Sequence, residues 1–109
     1  MHLRKIRDFA LDNKICFYVV ILPDVSKPFY DYREAPIHEI IKKWCSLEGI
    51  PVLDLFPLFK NTNNVDYMMA PDDHPNGKAH RIFAQQIASF IQKGTYDRNS
   101  SLKSSIRNF

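Results

Sequence analysis

Ile15-Cys16-Phe17-Tyr18-Val19-Val20-Ile21-Leu22 is the stretch on which the fold turns. A strand with one face in water alternates apolar and polar residues, whereas this run is apolar, β-branched or aromatic at every position. That pattern predicts a strand covered on both faces, as in a parallel sheet. Pro23 and Asp24 end it.

Upstream, Leu3, Ile6, Phe9 and Ala10 recur at helical spacing, which predicts an amphipathic helix over residues 2–13 closed by Asn13. Downstream, a polar loop carrying Pro28, Phe29, Tyr30 and Tyr32 leads to Pro36, a favourable first helical residue. Ile37, Ile40, Ile41, Trp44 and Leu47 then mark one buried helical face, and Gly49 stops the helix. Pro51 to Phe56 resumes a short apolar strand, so residues 15–56 read as one strand, helix, strand crossover of right-handed sense. Asn61 to Asp66 is turn-forming, and the cluster Pro71-Asp72-Asp73-His74-Pro75-Asn76-Gly77 follows Tyr67, Met68 and Met69. Asn76 suits the N-cap of a last helix whose inner face is Ala79, Phe83, Ile87, Phe90 and Ile91. Gly94 is expected to close that helix. Residues 95–109 show no periodic apolar face and are expected to be disordered.

The fold class is therefore α/β, but two parallel strands and three helices make an incomplete sheet, since sheets usually hold about four to six strands. The expectation is that the natural domain continues upstream of Met1, or that another chain completes it. The 109 residues, 45% of them hydrophobic, suffice for one core, and a net charge of +3 spread among acidic residues argues against a nucleic-acid surface. The basic start lacks the apolar run of a secretory signal, and the longest apolar stretch is too short to span a bilayer. Cys16 and Cys45 read as small buried hydrophobes and not as a disulfide pair.

Ligands of open α/β sheets bind beyond the carboxyl ends of the strands, and Asp72-Asp73-His74 lies after the second strand and just before a helix. In a segment kept extended by Pro75, Asp72 and His74 would point to the same side. The carboxylate could then hold the Nδ1 hydrogen, leaving Nε2 to take a proton from a nucleophile.

Asp72-Asp73-His74-Pro75-Asn76, followed by Ala79-His80 and the helix Arg81 to Ile91, resembles the last sequence block of the SGNH/GDSL serine hydrolases. Val19-Val20-Ile21-Leu22-Pro23 and Ile50-Pro51-Val52-Leu53-Asp54-Leu55 are similar to the two strands that precede that block, so the resemblance covers about residues 3–92. It implies a flavodoxin-like three-layer α/β/α sandwich, with residues 1–94 as the C-terminal portion of the domain. It also implies hydrolysis of an acyl ester, thioester or carbohydrate O-acyl group, with His74 as general base, Asp72 as its orienter and no metal or organic cofactor. The Gly-Asp-Ser nucleophile block and the oxyanion residues of the middle blocks have no counterpart in the chain. Ala79 stands where the family has glycine, and the acid lies two positions before the base instead of three, with Asp73 as the reserve acid.

Other readings of the same residues are blander. Asp72 or Asp73 can stabilise a helix N-terminus with His74 merely exposed, and Asp72, His74 and His80 can be read as metal ligands. Ser26 lies near the rim without the surroundings of a nucleophile, and Ser46 and Ser89 lie on helices. Asp54, at a strand end, either caps a loop by satisfying turn amides, the favoured reading, or hydrogen-bonds near the site. Phe29, Tyr30 and Tyr32 either line an acyl or sugar pocket or pack down. The competing function is a non-catalytic remnant that binds a partner through an uncovered sheet edge.

Overall fold

The computed structural model describes the backbone of residues 2–107 and side chains through Gly94. The elements, in chain order, are α1 (His2–Asp12), β1 (Val19–Ile21), α2 (Ala35–Leu47), β2 (Val52–Asp54), α3 (Phe56–Phe59), β3 (Met68–Met69), β4 (His74–Pro75) and α4 (Gly77–Arg107). The protein is thus a mixed α/β chain. Among the described residues there are two separate two-stranded ribbons, β1–β2 parallel and β3–β4 antiparallel.

Helix α1 stops where a left-handed residue is forced: Lys14 has φ 57°, Ile15 N–H donates to Ala10 O at 2.8 Å and Lys14 N–H to Leu11 O at 3.2 Å. These are the two bonds of a Schellman motif. Gly49, at φ 69°, ends α2 in the same way, with Ile50 N–H donating to Cys45 O at 2.8 Å. Here glycine meets the left-handed requirement without strain.

The parallel pairing joins Val19 to Val52, Val20 to Leu53 and Ile21 to Asp54, so the strand–helix–strand unit is present. Its strands are shorter than the apolar runs that predict them. Ile15 and Leu22 lie about half in solvent (54% and 49%) and Cys16 is exposed, because the ladder extends only where β2 supplies partners. Phe56 does not belong to β2. Leu55 N–H still donates to Ile21 O at 3.0 Å, but Asp54 Oδ1 then accepts from Phe56 N–H at 3.0 Å and the chain turns into α3.

Side chains alternate across a strand, so Leu53 and Asp54 face opposite ways. Val20 and Leu53 pack against a core made by Val25, Phe29, Tyr32, Leu55, Phe59, Tyr67, Ala79 and Phe83, which brings α4 onto one face. Asp54 meets His38 and Lys42 of α2 on the other. Full burial of each large core side chain is worth about 1.5–3 kcal/mol.

The expected buried face of α2 is corrected in part, Ile41 and Trp44 being half-buried. Ile37, Ile40 and Leu47 are 55%, 68% and 78% exposed, while His38 and Cys45 are buried. The polar contacts of His38 and Lys42 with Asp54 set the rotation of the helix, and a two-stranded ribbon is too narrow to cover the apolar stripe as well. Likewise, of the apolar face expected on α1 only Ala10 is buried. That helix is held mainly at Glu48, to which Arg4 donates and which takes Arg7 Nη1 at 2.6 Å.

Helix α4 presents Ala79 and Phe83 to the core as expected, and Ile91 remains exposed. Gly94 does not close it, since the helix continues to Arg107. Gly94 serves close approach instead, facing the ring of Tyr18. The expectation of disorder over residues 95–109 falls on positions whose side chains, and at 108–109 whose backbone, lie outside the described residues. Among the described residues no helix is long and apolar enough to cross a membrane.

Candidate functional site

His74 opens β4 and pairs with Met69 of β3. The connection runs through residues 70–73, and Asp73 takes a left-handed φ of 56° with its N–H donating to Met69 O at 3.0 Å. Aspartate tolerates this region better than most residues. The turn overturns one premise of the sequence reading: 72–74 is not an extended segment, so alternation cannot align Asp72 with His74.

The ribbon is anchored by its neighbours. Asn76 Oδ1 accepts from Ala79 N–H at 3.0 Å, capping α4 as the sequence predicts, and Asn76 Nδ2 donates to Asp66 O at 2.9 Å. Asn76 N–H donates to Tyr67 O at 2.8 Å. Tyr67 and Ala79 belong to the same core as Val25 and Phe29, which follow β1, and Leu55 and Phe59, which follow β2. The 72–74 turn therefore lies on the carboxyl-end side of both parallel strands.

Asp72, Asp73 and His74 are all exposed. Among the described residues neither aspartate is hydrogen-bonded to His74, and Asp72, His74 and His80 do not gather as metal ligands. His80 is exposed, its ring 5.9 Å from Phe83.

The carboxylate–imidazole bond that does form is elsewhere. Asp54 Oδ1 lies 3.0 Å from His38 Nδ1, and His38 Nε2 lies 3.1 Å from Tyr32 Oη. Tyr32 Oη also accepts from Asp24 N–H at 2.8 Å, and Lys42 Nζ stands 3.4 Å from Asp54 Oδ2. Burial pushes the Tyr32 phenol up, against the hydrogen bond from Asp24. The connectivity is that of a hydroxyl, imidazole, carboxylate triad, but Tyr32 is a core residue, buried and stacked on Phe56 at 4.1 Å. The turn-satisfying role expected of Asp54 is present in its bond from Phe56 N–H.

The sequence reading missed His38. The available signal was the spacing of His38, Lys42 and Cys45 along one helical face, opposite a carboxylate at a strand end. Phe29 and Tyr32 pack down, while Tyr30 is exposed.

Ser26 is engaged with an acid, not a base. Its Oγ donates to Asp24 Oδ1 at 2.6 Å and its N–H to the same oxygen at 3.0 Å, the hydroxyl bond being the larger influence holding the Asp24 carboxyl below its usual range. Ser46 and Ser89 are exposed on helices. A cavity of about 420 Å³ lies beside the segments that lead into β1 and β2, between Leu11, Ile15, Phe17, Tyr18, Ile50 and Gly94. Comparison of the chain with family models, with curated proteins and with solved structures returned no match.

Proposed function

We propose that this chain is the C-terminal part of an SGNH/GDSL-type serine hydrolase domain and contributes the base and acid of its triad. The observation that carries the reading is the placement of Asp72-Asp73-His74, exposed on the carboxyl-end side of two parallel strands and directly ahead of a capped helix. In this reading the domain is a flavodoxin-like three-layer sandwich. Helices against both faces of β1–β2, and outer edges that meet no strand among the described residues, support it.

A serine supplied by the rest of the domain attacks the carbonyl of an acyl ester, thioester or carbohydrate O-acyl group. His74 takes its proton and returns it to the leaving group, and Asp72 stabilises the imidazolium. Neither side chain is engaged by another described residue, so both are available to pair when the serine and substrate approach. Catalytic hydrogen bonds often tighten only in that complex.

The test is ester hydrolysis by the complete domain, assembled by joining or co-expressing this chain with the segment encoded ahead of it, with and without His74→Ala. A second reading, a non-catalytic module that pairs through its sheet edge, is favoured by the same edges, which meet no further strand among the described residues, and by the absence there of a bond between Asp72 and His74. An in-frame Gly-Asp-Ser block upstream supports the enzyme, and its absence supports the module.

A further inference from the structure

We propose that His38 is a positioning residue, which fixes the loop of residues 23–32 at the carboxyl rim through a chain of hydrogen bonds with a single direction. The chain begins at the point where β1 leaves the sheet. Asp24 N–H donates to Tyr32 Oη at 2.8 Å, so that oxygen is already an acceptor and its own hydrogen must go elsewhere. The neighbour at hand is His38 Nε2, 3.1 Å away. That nitrogen must then be unprotonated, which puts the ring hydrogen on Nδ1, and Nδ1–H donates to Asp54 Oδ1 at 3.0 Å.

Asp54 ends the chain because it only accepts: Phe56 N–H reaches the same oxygen at 3.0 Å and Lys42 Nζ stands 3.4 Å from the other. In the opposite order, with Nε2 protonated, the Tyr32 hydrogen would be buried with no acceptor, an arrangement that proteins avoid. The neutral Nδ1–H tautomer is therefore built in by three elements: the loop, α2 and β2.

The chain acts on the loop. Val25 and Phe29 are buried in the core, and Asn64 Nδ2 donates to Val25 O at 2.9 Å. These contacts hold the middle of the loop, whereas Asp24, near its start, is held to Tyr32 and through it to His38. Phe29 also stands 6.5 Å, ring to ring, from Tyr67 beside the His74 ribbon. The loop is thus one wall of the rim on which the proposed base stands. Its bearing on turnover rests on the hydrolase reading, but the hydrogen-bond chain and its hold on the loop do not.

The experiment uses the 109-residue chain and needs no activity. Long-range ¹H–¹⁵N spectra of wild type should show His38 with Nδ1 protonated and Nε2 bare; a protonated Nε2 overturns the proposal, whatever the variants do. Asparagine places an amide nitrogen near Nδ1 and glutamine an amide oxygen near Nε2. His38→Asn should therefore keep the Asp54 bond but release Tyr32, and His38→Gln should keep Tyr32. Exchange of the Asp24 amide hydrogen should quicken roughly tenfold in Tyr32→Phe and in His38→Asn and return towards wild type in His38→Gln, with amides of β2 and α4 unchanged. Equal exchange in the asparagine and glutamine variants would show that His38 only fills space.

Discussion

Gly94 lies beneath the ring of Tyr18, where a Cβ would stand 3.1 Å from Tyr18 Oη and 3.2 Å from Cε1. The atoms in the way are the far end of a side chain that lines the 420 Å³ cavity, so the ring has room to move by the few tenths of an ångström required. A mid-helix glycine costs about 1 kcal/mol relative to alanine. Gly94→Ala should therefore stabilise the chain by about 0.5–1 kcal/mol. Gly94→Val drives a second carbon into the ring and should destabilise by about 1–3 kcal/mol. Urea midpoints at constant slope decide both.

Acid should weaken the fold through two carboxyls. Hydrogen bonds from Arg4 and then Arg7 hold Glu48 below its usual range, and the Ser26 hydroxyl does the same for Asp24. A carboxyl whose folded value is depressed binds fewer protons folded than unfolded. Its stabilisation is complete above the ordinary carboxylate range, about pH 4, and is lost as pH falls through the folded value. Urea midpoints should hold between pH 5 and 7 and drop towards pH 3. Replacing Arg4 and Arg7 by glutamine should flatten that drop, and Glu48→Gln should do so too, because each removes the same proton linkage. An unchanged acid limb in all of these variants would contradict the assignment.

The rotation of α2 can be read by substitution. Ile40→Lys and Leu47→Lys change exposed positions and should stay within about 0.5 kcal/mol of wild type in this chain. Cys45→Ser places a hydroxyl in a fully buried site and should cost about 1–3 kcal/mol. If a completed three-layer domain covers the outer stripe of α2, both lysine variants become strongly destabilising there. Indifference in the longer protein would count against that architecture.

The faces of α1 and α2 show why the sequence was only partly legible. The order of α1, β1, α2, β2 and α4, the Gly49 stop and the Asn76 cap appear where the residues demand them, whereas α3 and the β3–β4 pair stand where a strand end and a loop were expected. Which side of a helix is buried depends on what lies across from it. Ile37, Ile40 and Leu47 form an apolar stripe, yet α2 is turned by His38 and Lys42 reaching Asp54, a contact that crosses from helix to strand and whose only sequence trace, the spacing of His38, Lys42 and Cys45, is outweighed by the apolar stripe. Gly94 misled in the other direction, because a glycine selected for close approach reads like one selected for a helix stop. For the candidate site, the Asp-Asp-His-Pro-Asn segment gave its place on the rim. The left-handed Asp73 was hidden, since a hairpin between Met69 and His74 can be recognised only once β3 and β4 pair.

The triad assignment stands or falls on His74 and on which aspartate serves it. This chain alone should hydrolyse short-chain aryl esters no faster than buffer, because a base without an activated nucleophile loses most of covalent catalysis. Ser26 is not expected to replace it, since its hydroxyl donates to the acid Asp24 and not to a base. In the complete domain, His74→Ala should lower kcat by roughly 10³-fold or more with little change in melting temperature, as loss of a triad member does elsewhere and as an exposed side chain allows. Asp72→Asn should also impair turnover. The left-handed turn at Asp73 removes the simple alternation that favoured Asp72, so Asp73→Asn is the decisive comparison. A larger defect in Asp72→Asn keeps the acid two positions before the base, and a larger defect in Asp73→Asn moves it to the adjacent position. Near-normal turnover in His74→Ala sinks the assignment of His74 as the base, whatever the aspartates do. Steady-state ester kinetics with thermal melts on the three variants separate these outcomes.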